Sequence, residues 1–397
     1  MIAEVIVNSA AKELNRVFDY GVPNNLDVVV GVRVLVPFGY RKQNEIGYVI
    51  GLKEKSDYKC KDIIKVYEKV FDEKKLEIAK WMSKRYFCNL SEIVKLLVPP
   101  GTSTNVEGIK EKTEKWVSIR RDANLELVKN DKQKRIVKFL LDNIEAPVYE
   151  IMEYTDVTIS SLKTLEKNNI IEFKENRIYR NPFKNKEIKK TEPFKLNDEQ
   201  KQALESIDIS RNDNYLLYGV TGSGKTEIYL QLIDKVLKNN KNAIMLVPEI
   251  SLTPQITDRF LSRFGDTVAI LHSRLSKGER YDEWQKIKEG RARIVIGARS
   301  AIFAPLENIG VIIIDEEHDS SYKSETMPKY DVRDVAEKMG TVYNIPIVLG
   351  SATPDIRTYY KALNGEVKLL KLAKRISTQG LPDILVVDMR NELATRQ

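Results

Sequence analysis

Gly219-Val220-Thr221-Gly222-Ser223-Gly224-Lys225-Thr226 fits the pattern G-x-x-x-x-G-K-[ST]. The stretch follows the apolar run YLLY at 215–218. It opens a segment with Ile228, Leu232, Ile233, Val236 and Leu237 at helical spacing. Strand, glycine loop and helix in that order predict a phosphate cradle. Glycines let backbone N–H groups close around phosphate, and the helix N-terminus adds partial positive charge. Gly219, Thr221, Gly222, Ser223 and Gly224 are therefore nucleotide-binding candidates, with Lys225 reaching the β- and γ-phosphates and Thr226 ligating Mg²⁺. A chance glycine turn is the competing reading, and the flanking strand and helix argue against it.

Working outward, the apolar runs YLLYG, AIMLV, TVAIL, RIVIG, VIIID and IVLGS recur with helical stretches between them. Continuous apolar strands alternating with helices predict a parallel sheet covered on both faces. Asp315-Glu316-Glu317-His318 ends the run GVIIID, so its carboxylates are expected at the C-terminal edge of that sheet. Asp315 is the expected Mg²⁺ partner and Glu316 the base that positions the attacking water. Lys225, Asp315 and Glu316 are thus the catalytic candidates. Ser351 and Thr353 follow IVLG; their hydroxyls are candidates to link the acidic motif, through His318, to a DNA side. Ordinary helix capping by Ser or Thr is the competing role.

Upstream the pattern differs. Residues 1–70 hold short β-rich runs punctuated by Gly and Pro, which predicts a small barrel or curled sheet. Residues 72–97 turn helical, with Leu76, Ile78, Ala79 and Met82 on an apolar face, and Pro99, Pro100 and Gly101 end the segment. KQKRIVKFLLDNI, PVYEIMEYT and ISSLKTLEKNN read as three helices, and IIEFKENRIYR as a two-stranded wing, which together suggest a winged helix. Such a module contacts DNA or protein. NPFKNKEIKKTEP at 181–193 reads as a linker. The expected fold class is multidomain: a small β-rich N-terminal domain, a winged helix, and an α/β RecA-like P-loop domain with a parallel sheet. The expected boundaries are 1–100, 101–182, a linker 183–193, a first motor lobe 194–375, and the start of a second lobe at 376–397.

A chain of 397 residues is long enough for two to four domains, and its formal net charge of +8 favours a polyanionic partner, nucleic acid being the simplest. A merely basic enzyme fits the charge equally well. No apolar run approaches the ~18–20 residues needed to cross a bilayer, and the N-terminus lacks a signal layout, so the expectation is a cytoplasmic protein with no membrane partner. Cys60 and Cys88 are the only cysteines and His272 and His318 the only histidines, which argues against a disulfide framework or a zinc site within the chain.

The strings GVTGSGKT, LVPEISLTPQ, GARSAIFAP, DEEHDSSYK and GSATP resemble those of the PriA family of replication-restart helicases. RVFDY at 16–20, VPFG at 36–39 and GYV at 47–49 resemble that family's domain for the 3′ end of a nascent strand. The resemblance covers essentially the whole chain. It implies an ATP- and Mg²⁺-dependent 3′-to-5′ DNA helicase that recognises stalled or recombined forks, binds single-stranded DNA, and works with primosome proteins and single-strand-binding protein. By that resemblance Phe194 and Gln200 are adenine readers, Gln200 offering a donor and an acceptor to the base edge. Phe18, Asp19, Tyr20, Gly39 and Lys61 match the 3′-end pocket. There Asp19 would accept a hydrogen bond from a free 3′-OH while an aromatic stacks on the last base; the competing reading makes Phe18 and Tyr20 barrel core and Asp19 a turn residue. Residues 318–333 resemble the family's aromatic-rich loop, with Tyr322, Lys323, Tyr330 and Arg333 as DNA candidates, and Arg299 is a candidate for backbone phosphate.

The chain ends at Gln397, shortly after LPDILVVDMR. The resemblance places a second lobe, an arginine finger and paired zinc-binding cysteines beyond that point, and none occurs here. The resulting expectation is a truncated protein that binds nucleotide but does not unwind DNA processively by itself. Three readings follow: a helicase, a fork-end binding module with a silent motor lobe, and a P-loop enzyme unrelated to DNA. The family-specific strings disfavour the last.

Overall fold

The computed structural model describes residues 1–7, 16–39, 43–98, 113–128, 130–177, 190–251 and 253–376. Most of the expected linker and nearly all of the stretch 376–397 lie outside the described residues. Two compact units emerge. One comprises 1–72, 97–187 and 273–286; the other comprises 73–96, 188–272 and 287–397.

The first unit begins with β1 (Ile2–Val7), β2 (Val17–Gly21), β3 (Val32–Phe38), β4 (Gln43–Lys53), β5 (Lys61–Asp62) and β6 (Lys65–Lys69). They form a six-stranded sheet in the order β5-β2-β1-β4-β3-β6. The segment after residue 60 curls the sheet on itself. Ile63 N–H donates to Gly21 at 3.0 Å while Ile64 N–H donates to Leu35 at 2.9 Å, so one short stretch joins β2 to β3. Alternating side chains of Ala3, Val5, Val34, Val36 and Val49 fill the inside, as period-2 patterning requires.

Two helices follow, α1 (Glu73–Arg85) and α2 (Leu90–Leu97). The sequence boundary at 100 grouped them with the β-rich domain, whereas residues 73–96 cluster with the second unit. Within that unit Lys75 Nζ donates to Ala304 O at 2.9 Å and Lys338 Nζ pairs with Glu77 at 2.7 Å. An amphipathic face announces burial; it does not say against what.

The first unit continues with β7 (Thr113–Ile119), α3 (Asp131–Asn143), β8 (Glu145–Pro147), α4 (Val148–Thr155), α5 (Ile159–Lys167) and β9 (Ile171–Arg177). The three expected helices form, around Ile136, Leu140, Ile151, Leu162 and Leu165. The expected two-stranded wing does not form from 170–180 alone. Residues 171–177 are one strand, and its partner is β7, in register from Thr113↔Arg177 to Ile119↔Ile171. The partner lies some fifty residues upstream, beyond the reach of a local hairpin reading.

In the second unit come α6 (Asp198–Ser206), β10 (Asn214–Gly219), α7 (Lys225–Lys238), β11 (Asn242–Leu246), α8 (Pro254–Phe264) and β12 (Val268–Leu271). Helix α9 (Lys277–Lys288) intervenes. The unit resumes with β13 (Ile294–Gly297), β14 (Ile309–Ile314), α10 (Val332–Tyr343), β15 (Ile347–Ser351), α11 (Ile356–Leu363) and β16 (Lys368–Leu372). Its seven strands are parallel, in the order β12-β13-β11-β14-β15-β10-β16. The central strands are buried throughout, as the uninterrupted apolar runs require. All seven strands end at one edge. There the glycine loop after β10, the acids after β14 and Ser351 of β15 meet, with β15 as the single strand between the first two.

Candidate nucleotide site and candidate DNA-end pocket

Helix α7 starts at Gly224, which has φ +84° and supplies no side-chain cap. The first N–H groups of the helix therefore face outward for a ligand, where an anion meets the positive end of the dipole. Gly222, at φ +80°, makes the left-handed turn that an L-side chain resists. Lys225 Nζ donates to Gly219 O at 2.8 Å, so the ammonium lies inside the loop it would share with phosphate. Ser223 Oγ is buried and has no partner among the described residues. An orphaned hydroxyl and a lysine resting on a carbonyl suit an anion that would satisfy both. Thr221 is exposed, and Thr226 is half-buried with no hydroxyl bond among the described residues.

Gln200 is buried, and both atoms of its amide are bonded. Oε1 accepts from Asn197 N–H at 2.9 Å, completing a capping box on α6, and Nε2 donates to Ser223 O at 2.8 Å. In this arrangement it tethers the glycine loop, with one N–H and one acceptor lone pair of the amide left over. Phe194 is 74% exposed. Its backbone is fixed to α7, its N–H donating to Glu227 at 3.1 Å and its carbonyl accepting from Gln231 at 2.8 Å. A buried Arg263–Glu227 pair at 2.9 Å holds that anchor.

Opposite the loop, Asp315 Oδ1 accepts from the buried Tyr229 hydroxyl at 2.9 Å. Burial, reinforced by the neighbouring Glu316 charge, pushes the Asp315 carboxyl up to about 6, and Tyr229 and Lys225 act against that rise. Burial likewise lifts the Tyr229 phenol well above its usual range, which keeps it a donor. Glu316, at φ +45°, turns the chain out of the strand and leaves its carboxylate half-exposed. His318 Nδ1 lies 2.8 Å from Ser351 Oγ, and Nε2 lies 3.4 Å from Thr353 Oγ1. Ser351 Oγ also accepts from Thr353 N–H at 3.0 Å, a local turn bond; the cap of α11 is Asp355, not Ser351 or Thr353. Among the described residues no group of three or more His, Cys, Asp or Glu is placed to hold a metal. A cation at Asp315 would therefore depend on hydroxyl and phosphate oxygens for its remaining ligands.

In the first unit, Phe18, Asp19, Tyr20, Gly39 and Lys61 line one cavity of about 820 Å³. Asp19 and Glu4 face each other across β2 and β1. Lys53 Nζ bridges them, at 2.8 Å from Asp19 and 3.6 Å from Glu4. Burial acts to raise the Asp19 carboxyl, but hydrogen bonds from Lys53 and Ser56 outweigh it and hold the group below its usual value. Phe18 packs edge-on to Phe38 at 5.2 Å, and the mostly buried Tyr20 donates to Pro37 O at 3.3 Å. Gly39, at φ +67°, leaves open space where a Cβ would be, and its carbonyl accepts from Lys61 Nζ at 3.3 Å. Arg16 and Lys59 also line the wall, as does Tyr58, which is 80% exposed.

Comparison with known proteins covers the regions that hold both sites. A family profile described as "3′DNA-binding domain (3′BD)" matches residues 4–99, and one described as "DEAD/DEAH box helicase" matches residues 197–362. Replication restart protein PriA of Bacillus subtilis is 38% identical over 98% of this chain and 58% of its own length. The corresponding protein of Chlamydia trachomatis is 35% identical over 99% of this chain and 54% of its own. The chain belongs to the PriA family. It spans little more than half the length of these relatives.

The PriA-family loop at 318–333 is where sequence and structure part. Tyr322 is fully buried, and its hydroxyl donates to Asp315 O at 2.6 Å. Tyr330 is 4% exposed and packs on Phe303 at 5.3 Å. Arg333 is buried among Asp331, Asp355 and Glu317. All three are expected from the sequence to touch DNA; here all three are buried. They hold the loop against the sheet edge. Arg299 Nη1 donates to Ser321 O at 3.1 Å and to Lys323 O, and its guanidinium lies 5.5 Å above the Tyr330 ring, so it braces the same loop. Lys323 keeps its side chain exposed.

Motif reading missed Tyr229, Glu317, Lys53 and Ser56. Glu317 is fully buried; its carboxylate accepts from Asp355 N–H at 2.6 Å and Thr358 Oγ1 at 3.0 Å. A third acid beside two functional ones gives no signal in sequence. Its burial is what distinguishes it.

Proposed function

We propose that the chain is the end-binding and first-lobe portion of an ATP-driven, 3′-to-5′ DNA helicase that restarts replication at stalled or recombined forks. The supporting observation is the common sheet edge. An uncapped helix start with Lys225 and the acids Asp315 and Glu316 lie one strand apart there, on the lobe matched by the DEAD/DEAH box profile. Lys225 and the loop N–H groups bind the phosphates of ATP, Phe194 supports the base, and Glu316 orients and deprotonates the attacking water. Thr226 and Asp315 would hold Mg²⁺, which supplies charge neutralisation at the phosphates. His318, with Ser351 and Thr353, carries the state of the acid motif to α11. Lys323 and the brace through Arg299 face the DNA track.

In the other unit, the cationic walls of the cavity take the last internucleotide phosphate, and Asp19 accepts from a free 3′-OH. The exposed Tyr58 offers a stacking face for the last base. Branched DNA and the nascent 3′ end are the partners this supports. Primosome proteins and single-strand-binding protein are those the family setting adds, and the bacterial cytoplasm is the location.

The test is the ATPase rate of this chain with and without single-stranded DNA, alongside Lys225→Ala. A DNA-stimulated rate abolished by the substitution supports the motor. A flat background rate together with tight, 3′-OH-dependent fork binding supports instead an end-binding module with little unwinding. Unchanged nucleotide affinity in Lys225→Ala overturns the site.

A further inference from the structure

Tyr229 follows Lys225 by four residues on α7, one helical turn along the same face. That spacing gives one helix two tasks: Lys225 at the glycine loop and Tyr229 at the acid motif. The phenol is fully buried, and among the described residues its hydroxyl bonds to Asp315 Oδ1 alone, at 2.9 Å. The backbone N–H of Glu316 is a further donor to that carboxylate, and Tyr229 is its side-chain donor. A tyrosine buried for packing alone would be better replaced by phenylalanine, because a buried hydroxyl is costly unless bonded.

Strand β15 makes room for the phenol. A Cβ built on Gly350 would lie 1.7 Å from the Tyr229 hydroxyl, 2.9 Å from Cζ and 3.3 Å from Asp315 Oδ1. Glycine at 350 is therefore required by the tyrosine; no left-handed turn demands it there. Two residues on different elements converge on one carboxylate oxygen.

We propose that Tyr229 is a positioning residue for Asp315, pinning one carboxylate oxygen so that the other is presented to the Mg²⁺–nucleotide, and that Gly350 serves this role by admitting the phenol. The inference rests on the reading of Asp315 as the Mg²⁺ partner. Ligating carboxylates are themselves held by hydrogen bonds, and loss of such an outer partner typically costs roughly 10- to 100-fold in metal affinity.

The experiment measures binding of a fluorescent ADP analogue to the whole chain, once in EDTA and once across a Mg²⁺ titration, for the parent, Tyr229→Phe, Gly350→Ala and the double variant. In Tyr229→Phe the affinity in EDTA is expected to hold, while the Mg²⁺ concentration for half-maximal enhancement rises roughly tenfold or more. Gly350→Ala should reproduce the shift with the tyrosine retained, and the double variant should add little to either. An unchanged Mg²⁺ midpoint in Tyr229→Phe overturns the inference and leaves the nucleotide site standing. Equal loss in EDTA and in Mg²⁺ marks a packing role and overturns it too. If the parent shows no Mg²⁺ enhancement, the assignment of Asp315 itself fails.

Discussion

Arg333 Nη1 donates to the main-chain oxygen of Glu317 at 3.0 Å, tying the first turn of α10 to the acid motif. The same guanidinium donates a fork to Asp331 at 2.7 and 2.9 Å and reaches Asp355 at 3.3 Å. Asp355 N–H in turn donates to Glu317 Oε1. Four charges thus close a ring around residue 317, directly after the two acids that face the nucleotide loop. Removing one member of a buried pair leaves an uncompensated charge and costs about 3–5 kcal/mol. Arg333→Leu should therefore lower unfolding stability by about that amount. Glu317→Gln, which keeps the shape and the acceptor for Asp355 N–H while the Thr358 hydroxyl can turn to accept, should cost markedly less. Denaturant titration of both variants checks the order; equal effects would show that the ring is not electrostatic.

The ring extends to α1. Tyr86 donates to Asp331 O at 3.2 Å and to Asp334 Oδ2 at 3.3 Å, and Arg85 pairs with Asp334 at 3.2 Å. These helices follow the β-rich domain in the chain yet pack with the motor unit, so Tyr86 lies on a direct bonded route from α1 to Glu317. Tyr86→Phe should cost only about 1 kcal/mol of stability. Its larger effect is expected on coupling: stimulation of ATPase by 3′-ended DNA should fall while the DNA-independent rate holds. Parallel rate measurements with and without DNA check this, and full stimulation in the variant would rule the route out.

Contiguous strings made the motor edge legible. A glycine loop between strand and helix, acids ending an apolar run and hydroxyls ending another each specify their own backbone setting, and the shared sheet edge follows from parallel topology. What stayed hidden depended on direction. Tyr322 and Tyr330 sit in a stretch with no period and Arg333 in the helix turn that ends it, so nothing in the sequence says which of these side chains turn inward, and aromatics beside cations resemble a stacking surface. Lys53 meets Asp19 only through the pairing of β1 with both β2 and β4. That register is long-range information. Gln200 shows a further limit: residue type gave its hydrogen-bonding capacity, and only the fold shows that part of it goes to the cap and the glycine loop.

Asp355 carries a pH prediction. Burial works to raise its carboxyl, but bonds from Arg357 and the Arg333 charge outweigh burial and bring it down to about 2, against an ordinary 3.8. A depressed acid stabilises the fold fully above its unfolded value and loses that contribution as pH falls toward the folded value. The gap in melting temperature between the parent and Asp355→Asn should therefore be constant above about pH 5 and close as pH drops from about 4 to about 2. Thermal unfolding at a series of acid pH values checks this; a gap that stays constant there would assign the effect to shape alone.

Asp19 tests the end-binding pocket most directly. Its carboxylate is ionised and already held by Lys53 and Ser56, so its position is set before any ligand arrives. A preorganised carboxylate adds a charge-assisted bond to a 3′-OH and repels a 3′-phosphate. Asp19→Asn keeps the shape but removes the charge. The preference for a 3′-OH end over a 3′-phosphate end should then shrink by roughly 10- to 100-fold, since a hydrogen bond to a charged group is worth about 1.5–3 kcal/mol. Lys53→Met should produce a different pattern. Glu4 and Asp19 would face each other without their bridge, weakening binding of both ends together. Fluorescence anisotropy with paired 3′-OH and 3′-phosphate oligonucleotides separates the two outcomes. If Asp19→Asn weakened both ends equally, the carboxylate would be bracing the cavity wall and the selection of chain ends would have to lie elsewhere.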